Sequence, residues 1–130
     1  MTKKTSWTFK ALTPRQTEKL KEGYKLEGGK IAPWDRAMNK NTERDLKRFF
    51  VWKVLELMPA ALETGKHREQ LLEMEKLAKR IDVIQNHIST ATKREPKFRE
   101  RAAELIGELE LAISQLDNST GFDLFDQETW

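Results

Sequence analysis

The chain has no cysteine. Disulfides and thiolate metal sites are therefore excluded, and the composition fits a reducing compartment. It has no apolar run near the roughly 20 residues a membrane helix needs, so no membrane partner is expected. Met1-Thr2-Lys3-Lys4 leads into no apolar stretch, which argues against a secretory leader and for a cytoplasmic protein. Its two histidines, His67 and His87, fall at opposite ends of one expected helix. Neither stands in the Glu-x-x-His spacing of a di-iron bundle, so no metal and no other cofactor is expected. A P-loop, a dinucleotide fingerprint and a Ser-His-Asp set are also missing. Beyond Arg101 there is no Lys or Arg at all.

That last gap has a counterpart at the other end. Residues 1–53 carry fourteen Lys/Arg against six Asp/Glu, a net of +8. Residues 102–130 carry seven Asp/Glu and no base, a net of −7. Charged residues make up 35% of the 130, and apolar residues 38%. The charged share exceeds the roughly 25% usual in globular domains. One domain with a modest core and much surface is expected. A net charge of +3 does not by itself demand nucleic acid; the segregation of charge says more than the sum.

Helical signals dominate the middle. Thr13 is a natural N-cap with Pro14 in the first helical position, and Gly28-Gly29 stops this first helix near Leu26. A loop holding Pro33-Trp34 follows. A second helix starts near Thr42 and is apolar on most sides between Phe49 and Met58, which predicts a central place in the core or a subunit interface. Pro59 is expected to kink or restart it, and Gly65 to end it. Met74, Leu77, Ile81, Ile84 and Ile88 alternate spacings of three and four, as do Phe98, Ala102, Leu105, Leu109, Ala112 and Leu116. Both rows are coiled-coil-like seams. Ile106 and Ile113 widen the second row. The segment between the rows, with Pro96, turns the chain back.

The expected fold is all-α: four helices built on an antiparallel coiled-coil-like hairpin over 67–117, packed on the apolar helix 42–64. Residues 1–41 form a basic aromatic segment with one short helix, 42–117 the helical core, and 118–130 an acidic aromatic tail.

Two constellations carry the functional expectation. The first is the basic front, where cations stand among aromatics. Cations neutralise phosphates and aromatics stack bases. Lys3, Lys4, Trp7, Lys10, Arg15, Lys19 and Lys30 are the candidate nucleic-acid contacts. The alternative is a solvated helix surface facing the acidic tail. The second is the tail, where Phe122, Leu124, Phe125 and Trp130 are the candidate partner contacts, unless they fold back and finish the core. Phe122-Asp123-Leu124-Phe125 resembles the core of the bacterial sliding-clamp peptide, with Gly121 where that peptide has glutamine. An acidic tail with an aromatic end is also similar to the docking tails of bacterial single-stranded-DNA-binding proteins.

Other resemblances are slighter. Leu12-Thr13-Pro14-Arg15-Gln16 resembles the opening of some helix-turn-helix regulators, but Pro33 interrupts where a second helix should pack. Arg80 and His87 resemble the Arg-then-His pair of the small all-helical HEPN ribonucleases, with His as acid/base and Arg on the phosphorane charge. They stand seven apart, about 10 Å along a helix, too far for a compact site within one chain. The favoured expectation is a non-enzymatic accessory or regulatory protein of nucleic-acid transactions. Its front would contact DNA or RNA and its tail would dock a partner protein. The alternatives are a pure protein–protein regulator and, after it, the ribonuclease. The apolar second helix also makes a homodimer an expectation.

Overall fold

The computed structural model describes residues 9–28, 40–90 and 95–130, with side chains outside 24–45 and 87–96. Four helices follow in order: α1 (Pro14–Gly28), α2 (Lys40–Glu63), α3 (Arg68–Thr90) and α4 (Glu95–Thr120). A short 3-10 turn, Gln127–Thr129, closes the chain, and no strand occurs among the described residues. No described helix is long and apolar enough to cross a membrane. The Pro33-Trp34 loop lies outside the described residues.

Each helix end has a local cause. Thr13 and Gln16 form a reciprocal cap at the start of α1: the Gln16 amide donates to Thr13 Oγ1 at 3.2 Å, and the Thr13 amide to Gln16 Oε1 at 2.9 Å. This is a capping box with glutamine in the third position. Gly65, at φ +74°, follows α2 and donates to Leu62 O, the left-handed stop that glycine allows without a Cβ clash. His67 shares the positive φ, at 52°, an uncommon conformation in which histidine is over-represented.

Two boundaries differ from the sequence expectation. Pro59 does not restart α2, which runs unbroken to Glu63. Its neighbours Met58 and Ala61 are fully buried, so packing on either side carries the helix past the ring, which faces solvent. Likewise residues 118–120, expected in the tail, belong to the last turn of α4. The hydroxyls of Ser119 and Thr120 bond back to Leu116 O, and Gly121, at φ +82°, is the stop.

The core is one cluster running through α2, α3 and α4. Leu46, Phe50, Val51, Val54, Met58 and Ala61 of α2 are all buried, and Phe49, Leu55 and Leu57 are partly buried against them, while Trp52 stays exposed. The α3 and α4 rows meet it through Leu71, Met74, Ala78 and Ile81 and through Leu105, Leu109 and Leu116. α3 packs closely on both α2 and α4, whereas α2 and α4 approach each other much less. The two ends of the chain help to close that gap. Phe50 lies 5.3 Å from the Phe9 ring and 6.0 Å from the Phe125 ring, so one α2 side chain receives an aromatic from each end.

Candidate functional site

Polar groups tie the front of the chain to α4 and to the tail. α4 carries a stripe at three- and four-residue spacing, Ile106, Glu110, Ile113 and Asp117, in which acids interrupt apolar positions. Glu110 is buried, and its Oε2 accepts the Ala11 amide at 3.0 Å. Gln16 is buried too; its side-chain amide donates to Ile113 O at 3.5 Å and to Asp117 Oδ2 at 3.3 Å. Next to it the Arg15 guanidinium donates to both oxygens of Asp117 at 3.0 and 2.9 Å. This two-pronged geometry is the strong form of the pair.

The tail supplies two more carboxylates to the same guanidinium. Arg15 stands 3.2 Å from Asp123 Oδ2 and 3.6 Å from Asp126 Oδ2. Three aspartates therefore surround one arginine whose side chain keeps 48% of its surface in solvent. Asp123 is fully buried. Its Oδ1 accepts the Phe125 amide and its amide donates to Thr129 Oγ1. Its carbonyl accepts the Trp130 indole N–H at 2.9 Å. Asp126 caps the 3-10 turn by accepting the Glu128 amide. The last nine residues are thus a closed knot rather than an extended peptide.

Aromatic packing seats that knot. Phe122 stacks on Trp130, with centroids 5.5 Å apart and planes 2° from parallel. His67, in the α2–α3 connection, meets Phe122 edge-on at 5.3 Å. Phe122 and Leu124 are buried, and Phe125 and Trp130 are partly buried against the core. The four residues expected to meet a partner are therefore brought together, but on the chain's own interior. Of the expected nucleic-acid contacts, Lys10 and Lys19 are exposed and Arg15 is engaged with aspartates. Lys3, Lys4, Trp7 and Lys30 lie outside the described residues, as does the side chain of His87. Among the described residues no group of three His, Cys, Asp or Glu is placed to hold a metal ion.

The electrostatics follow from burial. Desolvation pushes the Glu110 carboxyl above the usual carboxylate range, offset in part by the Ala11 and Lys10 amides and by the charges of Lys10 and Lys47. Desolvation also raises Asp123; the Phe125 amide and Arg15 oppose it, and the like charges of Asp117 and Asp126 add to it. The hydrogen bond to Asp117 leads the causes that raise Arg15 further, so it stays charged. A carboxyl raised on folding binds its proton more tightly in the folded state. Its ionisation then subtracts stability as pH rises through the folded value, and the loss is absent below the unfolded value near 4.3. Glu110→Gln keeps an acceptor for Ala11 and removes the buried charge. Its thermal stability is expected to exceed wild type at pH 7, with the gap closing at about pH 4; melting curves at the two pH values are the check.

Comparison with known proteins adds no relative: no family model, no curated protein and no solved structure matches the chain. The residues that tie the site together and that the sequence expectation missed are Gln16, Glu110, Asp117 and Asp123. Two carry a readable signal, because Glu110 and Asp117 fall in step with Ile106 and Ile113 on a face that must be buried for the isoleucines to be buried.

Proposed function

We propose that the chain is a non-enzymatic accessory protein of nucleic-acid transactions whose basic front is covered by its own acidic tail. The observation that carries this reading is the pairing of Arg15 with Asp117, Asp123 and Asp126. A phosphate backbone reaching Arg15 must compete with three carboxylates already in place. Lys10 and Lys19, both exposed, flank that position in sequence and supply the uncovered part of the patch. In this reading α3 and α4, separated by only residues 91–94, form an antiparallel coiled-coil-like hairpin that serves as the rigid support. Partner docking by Phe122, Leu124, Phe125 and Trp130 belongs to the same cycle. A partner takes these side chains only as they leave the core, and their departure uncovers Arg15.

Asp117→Asn with Asp126→Asn tests the cover without opening the core, since Asn keeps the cap on the 3-10 turn and Phe122 and Leu124 stay in place. In gel-shift titrations with single- and double-stranded oligonucleotides at about 50 mM salt, removing two of the three carboxylates that hold Arg15, with Asp123 left in place, is expected to tighten binding by about three- to tenfold. The salt dependence steepens, by at most about one unit of slope. If neither protein shifts either probe at that salt, the nucleic-acid reading fails. The pure protein–protein regulator is then the reading that stands.

A further inference from the structure

The outer side of the α3–α4 pair carries a groove that the front and the tail do not use. It measures about 320 Å³ and is lined by Glu73, Leu77, Arg80, Arg101, Leu105 and Glu108, among others. Its floor is apolar: Leu105 is buried, while Leu77 and Ala112 are half-buried. Its rim is charged: the arginines and glutamates are sorted by end, and Lys76, also on the rim, pairs with Glu73. Glu73 and Arg80 stand seven positions apart, as do Arg101 and Glu108, about 10 Å along each helix. With the two helices running antiparallel, both arginines lie toward the 91–94 end and both glutamates toward the opposite end. Leu77 and Leu105 fall between them.

We infer that this groove is the seat of a second copy of the same chain, joined through a two-fold axis near Leu77 and Leu105. A two-fold interface must be complementary to itself. Rotation by half a turn about that axis lays the Arg80 and Arg101 end of one copy over the Glu73 and Glu108 end of the other. A groove with rims of one sign would repel itself in that arrangement; this one attracts. The present partners of these groups do not oppose the exchange. Arg80 and Glu108 enter no ion pair or hydrogen bond among the described residues. Glu73 pairs with Lys76 at 3.7 Å and Arg101 with Glu104 at 3.2 Å, exposed pairs of a kind that contributes little in water. Leu72, one turn from Lys76, and Val83, one turn from Arg80, are exposed large apolar side chains on α3. Most of the α2 run that suggested a dimer from the sequence is buried or half-buried within the protomer, Trp52 excepted, whereas the groove on α3 and α4 combines an apolar floor with a self-complementary rim.

Sedimentation equilibrium of the full chain tests this directly. Wild type is expected to dimerise, with weaker association as salt rises. Glu73→Lys with Glu108→Lys, and separately Arg80→Glu with Arg101→Glu, each place like charges opposite one another. Each pair of changes is expected to weaken self-association on the order of a hundredfold. All four positions are exposed, and circular dichroism checks that the helices persist. Mixing the two variants restores opposite charges and is expected to restore a dimer. A wild type that stays monomeric overturns the inference. So does dimerisation unchanged in either double variant, or a mixture that stays monomeric.

Discussion

Phe122→Ala is expected to destabilise the whole fold by about 3–5 kcal/mol, the cost of emptying a buried aromatic site. That is a large share of the 5–15 kcal/mol that holds a typical domain together. At this chain length it lowers the melting temperature by roughly 10–20 °C. The cause is local and nameable. Phe122 is buried, stacked on Trp130 and met edge-on by His67, so its loss leaves a cavity between the tail and the α2–α3 connection. A tail lying outside the fold gives a different result, because a surface substitution changes stability by no more than about 0.5 kcal/mol. Thermal or urea unfolding followed by circular dichroism distinguishes the two.

Phe50→Ala is expected to cost a similar ~3–5 kcal/mol, and to loosen both ends of the chain together. Phe50 is fully buried in α2, and its ring contacts Phe9 on one side and Phe125 on the other. Each tilted ring pair adds about 0.5–1.5 kcal/mol beyond the area it buries. Proteolysis under native conditions is the useful readout beside stability. The variant is expected to be cut near both residue 9 and residue 122 faster than wild type, while α3 and α4 resist. Faster cutting at one end alone means that the two ends do not share Phe50 as their anchor.

These two side chains also mark how far the sequence could be read. The helices were legible because their signals are local: Thr13-Pro14 at the start of α1, Gly65 after α2, and the alternating rows of α3 and α4. Phe50 was legible as core because it sits in a run too apolar to face water. Phe122 was ambiguous, because an acidic aromatic segment of ten residues suits either a docking peptide or a closing segment. The contacts that fold it back centre on Asp123, and they come from residues six and seven positions on, Thr129 and Trp130, and from Arg15, more than a hundred positions away. Pairing over that separation leaves no periodic trace. That Pro59 does not restart α2 has a related reason. Its propensity to break a helix is local, whereas the packing of Met58 and Ala61 that overrides it is tertiary.

The opposed charges at the two ends of the chain acquire a physical meaning from this arrangement. Asp117 ends the acidic stripe of α4, and Asp123 and Asp126 continue it into the tail. All three converge on the arginine that opens α1. Charge that is separated in sequence is brought together by the fold, and the aromatics of the tail hold it there.

Amide hydrogen exchange of residues 121–130 in the intact protein measures that convergence most directly. The amides of Asp123, Phe125, Asp126, Glu128, Thr129 and Trp130 all donate to acceptors within the tail. They are expected to exchange well below the unfolded-chain rate, with protection that falls in the Phe122→Ala variant. Exchange of the wild-type tail at the unfolded-chain rate, beside a protected α3 and α4, would contradict a tail built into the core and docked on Arg15.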